Sequence, residues 1–279
     1  MFIEIMKQRT SIRSYKKGKL PADDRKTLEE FLKKQTTGPF NNSVRLELVD
    51  VDFAAGESLL KYGMYGLIRG MGTFIAGCVT IGPGDAEDFG YCMEKAVLEA
   101  TRLGLGTVWL GGFLSRSTFG AKLAKRENEV VPAVTPVGIS ADKRNRTDQL
   151  IRKIVSSTKR KPFKTLFFEG PDLTPLTETA AGVTGVLFDA VRCGPSASNK
   201  QPWRLVRDGL KTHFYLDENK TYNTLFKRVR IQGIDMGIAM AHYELASADL
   251  QQTGTWRIEP PGFTSPWVYV ITWMDEGVG

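Results

Sequence analysis

Three cysteines and two histidines are all that 279 residues provide of the usual soft metal ligands and nucleophiles. Cys78, Cys92 and Cys193 are odd in number and widely separated, with no C-x-x-C pair, and His213 and His242 stand far apart. This scarcity argues against a disulfide framework, a zinc site and Cys/His nucleophilic catalysis, and is the pattern of reduced, buried thiols in a cytosolic protein. Long apolar runs are missing as well. None approaches the ~18 residues that cross a bilayer, so no membrane partner is expected. The start, Met1-Phe2-Ile3-Glu4, has an acid where an export signal would continue its apolar core, which predicts a cytoplasmic location. Nor is there a G-x-G-x-x-G phosphate loop, a paired-carboxylate pattern or a Ser/His/Asp order.

What is present fits a soluble globular chain of one large domain or two small ones, with 42% hydrophobic and 25% charged residues. The formal charge of +7 comes with basic clusters at Arg13 to Lys19, Arg144 to Arg146 and Lys159 to Lys161. No aromatic residues are interleaved with them in the manner of a nucleic-acid module, so nucleic acid is not expected as a partner. A small anionic ligand accounts for the clusters with fewer assumptions.

The chain repeats itself. A helical run from Asp88 through Leu103 leads to Trp109, and a second from Asp235 through Leu250 leads to Trp256. At one ungapped offset of 147 (235 − 88 and 256 − 109), Asp88/Asp235, Gly90/Gly237, Met93/Met240, Leu98/Leu245, Leu103/Leu250 and Trp109/Trp256 coincide. Upstream, Gly38-Pro39 answers Gly194-Pro195. After one inserted residue Asn42 answers Asn199, and Leu48-Val49 answers Leu205-Val206. Each half reads as helix, turn, strand, long helix, strand. Two copies do not make a solenoid; they suggest a two-fold dimer joined into one chain, hence a monomer acting as an internal pseudo-dimer. The halves differ at the turn. Where the second has Ser196, Gln201, Pro202 and Trp203, the first has Phe40, Val44, Arg45 and Leu46, and nothing in Pro171 to Thr179 repeats Arg9-Thr10-Ser11-Ile12-Arg13. One composite site per chain follows.

Two segments carry the candidate chemistry. Gly194-Pro195-Ser196-Ala197-Ser198-Asn199-Lys200-Gln201-Pro202-Trp203 packs hydroxyl, amide and backbone groups into a Pro-punctuated turn between a helix-like run and the strand-like Arg204-Leu205-Val206. Arg9-Thr10-Ser11-Ile12-Arg13 offers two forked cations around a hydroxyl; read as a strand, it would place Arg9, Ser11 and Arg13 on one side. Charge-assisted hydrogen bonds of that kind contribute roughly 1.5–3 kcal/mol each to gripping a phosphate. Gly111-Gly112 would let a ligand approach the backbone closely.

Arg9 to Tyr15 followed by a Pro-initiated helix at Pro21, the turn Pro195 to Trp203, the segment Leu103 to Phe113 and the basic Arg160-Lys161-Pro162-Phe163 together resemble the nitroreductase family of flavoproteins over most of the chain. The two-half form is similar to that family's fused, pseudo-dimeric members. The resemblance implies an α+β, nitroreductase-like fold with two pseudo-symmetric halves, 1–170 and 171–279. It implies FMN as cofactor and NAD(P)H as electron donor. Electrons would pass to a small-molecule acceptor such as a nitroaromatic or quinone, in ping-pong fashion, with no protein side chain required as a catalytic group. It implies a flavin held by Arg9, Thr10, Ser11, Arg13, Leu110, Gly111, Gly112 and Arg160 from the first half and by Pro195, Ser196, Ala197, Asn199 and Gln201 from the second. Arg144 competes with Arg160 for the phosphate, and Tyr62 to Gly70 is expected to border the pocket. The rival expectation is a flavin-binding or sequestering protein with little turnover.

Overall fold

In a computed structural model, residues 1–52, 58, 62, 68–112, 114–141, 159–219 and 229–278 are described. They fall into two compact units. One comprises Met1–Lys7 with Thr158–Gly279, the other Gln8–Ser157. The division therefore lies at 157/158 rather than at 170, and the first seven residues belong with the C-terminal unit. The physical reason is strand pairing: Phe167–Glu169 lies parallel to Trp203–Asp208, inside the sheet of the C-terminal unit.

The unit Gln8–Ser157 is built on a sheet of β2 (Val44–Asp50), β4 (Thr73–Thr80), β7 (Val134–Gly138) and β5 (Gly106–Thr107), in that order, with the short β6 (Glu129–Val130) also on β4. The strands β1 (Ser14–Gly18) and β3 (Arg69–Met71) form a separate parallel pair. Its helices are α2 (Ala22–Leu32), α3 (Asp85–Arg102) and α4 (Arg116–Lys122). Pro21 stands at the N-cap of α2, where its missing N–H costs nothing. Three acids, Asp85, Glu87 and Asp88, crowd the first turn of α3 and Arg102 its last, complementing the helix dipole. The core is aromatic: Tyr62 stacks on Phe74, and Phe119 meets both edge-on.

In the C-terminal unit the sheet order is β12 (Gln252–Arg257), β13 (Val268–Val278), β11 (Lys211–Leu216), β10 (Trp203–Asp208), β8 (Phe167–Glu169) and β9 (Thr174–Pro175). Helices α5 (Thr184–Cys193) and α6 (Ile231–Asp249) pack together. Strand alternation sorts the neighbours of β8. Phe167 stacks on Phe188 of α5 with centroids 4.7 Å apart, while Phe168 turns the other way to Trp267, also at 4.7 Å. Helix α1 (Phe2–Gln8) begins in this unit, where the Ile3 N–H donates to Asp249 at 2.8 Å.

The duplicated order is present with one addition. Each half runs helix, turn, strand, antiparallel strand, long helix, strand; the extra strands are β4 and β11. Every residue of β4 but the last is buried, so it lacks the alternation that marks a half-exposed strand in sequence. The long helices start before the repeated aspartates, at Asp85 and Ile231. Asp favours the N-cap, which is why sequence alone suggests a start at Asp88 and Asp235; the structure gives both carboxylates a different task. Both tryptophans of the repeat donate their indole N–H to a long-helix glutamate, Trp109 to Glu94 at 2.7 Å and Trp256 to Glu244 at 2.6 Å. At the 147 offset these glutamates are not equivalent.

Candidate functional site

The turn of the C-terminal unit is assembled from its own hydrogen bonds. Ser196 supplies two acceptors: its carbonyl takes the Asn199 N–H at 2.9 Å and its hydroxyl the Gln201 N–H at 2.8 Å. The Ala197 N–H donates to Asp235 Oδ1 at 2.9 Å, which fastens the turn to α6. Ser198, Asn199 and Gln201 all take positive φ (48°, 55° and 46°), an unusual run outside glycine that needs such over-determination. Gln201 is 2% exposed and fully used inside the protein. Its side-chain carbonyl accepts the Lys161 N–H at 2.8 Å, and its amide donates to Asn199 O at 3.1 Å and Asn199 Oδ1 at 3.2 Å. Trp203 is core, 0% exposed. Pro195 opens the turn, half-buried.

Arg160 belongs to this same constellation, not to the opposite half. Its guanidinium donates to the Cys193 carbonyl at 3.0 Å and to Asn199 Oδ1 at 3.4 Å. The Asn199 amide in turn donates to the Lys159 carbonyl at 2.8 Å. The segment 159–161 and the turn are thus cross-linked, with Arg160 and Asn199 partly exposed and Gln201 bracing them from beneath. The electrostatics are positive. Burial, then the neighbouring Arg204, pushes the Lys161 ammonium below its usual range. Arg204 is itself held by Asp217 at 2.5 Å. Cys193 is half-buried rather than fully enclosed, and burial raises its thiol pKa against the opposing pull of Arg160.

The remaining candidates lie in the unit Gln8–Ser157. Residues 9–13 do not form a strand: β1 starts at Ser14, and Ser11 makes a single bridge to Thr107, with the Ile12 N–H donating to Thr107 O at 2.8 Å. Arg9, Thr10 and Arg13 are half-buried beside it, and the Arg13 carbonyl accepts the Arg69 N–H. Leu110 is a core residue bridged to Val134. Gly111 and Gly112 follow in a partly exposed bend. A Cβ on Gly111 would meet only the Ala133 Cβ, at 3.9 Å, so the protein's own packing does not require glycine there. Its carbonyl accepts from Arg116 at 2.7 Å. Tyr62 is a fully buried core ring; most of the segment after it, 63–67, and Arg144 lie outside the described residues.

Sequence reasoning missed Asp235 as part of the site, although its recurrence at the repeat offset was the available signal. In the other half its counterpart Asp88 holds the equivalent turn. The Phe40 N–H donates to Asp88 Oδ1 at 2.8 Å, and the Asn42 N–H and side-chain amide donate to Oδ2 at 2.8 and 2.9 Å. Among the described residues no cluster could hold a metal ion, and no helix is long and apolar enough to cross a membrane.

The family described as "Putative TM nitroreductase" matches residues 2–247. The chain belongs to this nitroreductase family. A solved structure from Thermotoga maritima, described as a putative nitroreductase, aligns over 98% of this chain and 93% of its own, with a TM-score of 0.56 at 16% identity, and shares the fold. A nitroreductase family protein from Clostridium novyi NT aligns over 52% of this chain and 89% of its own (TM-score 0.41, 20% identity). The NADPH:FMN oxidoreductase from Vibrio harveyi aligns over 51% and 72% (TM-score 0.40, 18% identity). No curated protein matches the chain.

Proposed function

We propose that this nitroreductase-family protein is an FMN-dependent oxidoreductase that takes electrons from NAD(P)H and delivers them to a small acceptor such as a nitroaromatic or quinone. The observation that carries this reading is the turn 195–201 cross-linked to 159–161. It presents an amide, Asn199, able both to donate and to accept, beside a guanidinium, Arg160, in a positive surround. That donor set suits the amide edge and the anionic character of a flavin. The strained backbone supports the reading too, because positive φ at Ser198, Asn199 and Gln201 is preserved by a dense internal network. Gly111 adds a position kept bare where the protein itself has room for a side chain.

Asn199 and Arg160 would hold the flavin directly. Ser196, Ala197 and Gln201 fix their positions, since their own polar groups are spent inside the turn. Arg9, Ser11, Arg13, Gly111 and Gly112 are proposed for the phosphate and the ring face on the family resemblance. Bound FMN would supply the hydride and electron chemistry. The chain's residues orient it and offset negative charge through Arg160 and Lys161.

The test is direct. Purified protein should show flavin absorption bands, or gain thermal stability on addition of FMN by mass action. In stopped flow, NADH or NADPH should then bleach the bound flavin rapidly. No bands and no stabilisation would falsify the FMN assignment; binding with sluggish reduction by both donors would instead identify a flavin-binding protein without turnover.

A further inference from the structure

The two halves solve the same turn differently, and the difference centres on one buried carboxyl. Asp88 receives three N–H donors, two of them from Asn42. Asp235, at the equivalent position and 3% exposed, receives one, from Ala197, and its Oδ2 is buried with no hydrogen-bond partner. Phe40 and Ala197 are the equivalent donors to the two aspartates, which makes Ser196 the single inserted residue of the second turn. The Ser196 carbonyl captures the Asn199 N–H that would otherwise face Asp235, as Asn42 faces Asp88. The Asn199 side chain consequently points to the 159–160 segment instead, donating to Lys159 O.

We propose that Asp235 is the positioning residue of the flavin turn: as a neutral carboxylic acid it holds the Ala197 N–H and leaves the Asn199 side chain on the Lys159–Arg160 segment, the side proposed for the ligand, whereas its ionisation draws that amide inward onto Oδ2, in the arrangement Asn42 adopts on Asp88, and releases FMN. This rests on the FMN reading above. An ionised carboxylate with one donor in an apolar site is expensive, so it must either stay protonated or recruit another donor. Burial, opposed only by the Ala197 N–H, pushes the Asp235 pKa up to about 8. Among the described residues, the charged groups on elements packed against α6 are Arg192, paired with Glu178 and Asp189, Arg204, paired with Asp217, Arg207, paired with Glu169, and Asp208, Arg257 and, beside the turn, Lys200. Arg160 reaches the turn through Asn199 itself. On α6, His242 bonds the Ala190 carbonyl.

The experiment compares the full chain with Asp235→Asn, which keeps the acceptor for Ala197 and cannot ionise. FMN affinity is measured by quenching of flavin fluorescence across pH. If only the neutral form binds, the wild-type Kd rises about 30-fold between pH 7 and about pH 9.5, the reciprocal of the neutral fraction, while the D235N Kd stays level. A wild-type Kd that does not change, or a D235N profile that follows the wild type, overturns the proposal. A second readout does not depend on the ligand: the wild-type minus D235N infrared difference should contain a carboxylic-acid carbonyl band at pH 7 that vanishes by about pH 9.5. Absence of that band at pH 7 overturns the neutral-acid assignment. Failure of the wild type to bind FMN at pH 7 with the band present sinks the FMN reading and leaves the buried acid standing.

Discussion

One substitution made at two equivalent positions should have opposite consequences. In Asp88→Asn, one oxygen survives to accept from a single backbone donor, and the new amide nitrogen confronts donors where Oδ2 now accepts two. At least one backbone N–H, of Phe40 or Asn42, is then stranded at a carboxyl that is 0% exposed. A stranded buried donor costs about 1–3 kcal/mol, and loss of charge-assisted bonding adds to it, so a destabilisation of about 2–4 kcal/mol is expected. In Asp235→Asn the surviving oxygen still accepts from Ala197, and the amide replaces an atom that has no hydrogen-bond partner. The pH dependence separates them further. The folded-state pKa of Asp235, about 8, lies above the unfolded value near 3.9. The folded state thus keeps a proton that the unfolded state releases, and wild-type stability falls by up to roughly 1.4 kcal/mol per pH unit from about pH 4 to pH 8. D235N escapes that loss and should be the more stable protein at pH 8. Thermal melts at pH 6 and pH 8, with amide exchange at residues 40 and 42, read both effects; the exchange is needed because two compact units can unfold separately. Shifts of equal size and sign in the two variants would refute the claim that the halves use this aspartate differently.

Four further variants separate packing from ligand binding. Gly111→Val meets little on the protein side, so Tm should hold while FMN occupancy drops; a fall in both would show that the bend is structural. Arg45→Ala removes a guanidinium that ties Glu47, the nearly buried Glu129 and the Leu123 carbonyl, and should destabilise by about 1–3 kcal/mol without changing FMN affinity. Asn199→Ala and Arg9→Ala should each weaken FMN about tenfold or more. Equal effects of all three on flavin affinity would undo the assignment of the site to the 195–201 turn and the Arg9 segment.

The repeat was legible because its shared residues each carry a task that permits few substitutes. Asp88 and Asp235 hold a turn by accepting backbone N–H groups, and Trp109 and Trp256 each donate to a glutamate on the long helix. Such jobs leave fixed letters at a fixed offset. The turn itself was legible for the same reason, as a dense run of Pro, Ser, Asn and Gln. What the letters did not distinguish was which polar groups brace the turn and which reach across to the 159–161 segment. Gln201, Ser196 and Asn199 look alike in sequence, yet Gln201 and Ser196 bond to Lys161 and to the turn's own backbone, whereas the Asn199 side chain bonds to Lys159 and Arg160. The buried strand β4 escaped because it does not alternate, and the boundary near 170 was displaced because pairing of β8 with β10 is a long-range contact with no local signature.

The inserted residue shows where reading letters stops and geometry begins. Aligning Asn42 with Asn199 required a one-residue gap, and the alignment alone suggests that the two asparagines do the same thing. The structure moves the gap and separates their roles: Phe40 and Ala197 are the equivalent donors to the repeated aspartate, so Ser196 is the extra residue and not the counterpart of Phe40. Asn42 gives its N–H and its amide to Asp88, whereas the Asn199 N–H bonds the Ser196 carbonyl and its side chain meets Lys159 and Arg160. Inserting a serine between Pro39 and Phe40 should loosen Asn42 from Asp88, raise the Asp88 pKa further in the direction burial already pushes it, and make the Asn42 amide exchange faster. An insertion that leaves Asn42 protected would mean that the flanking halves, and not Ser196, dictate the two turns.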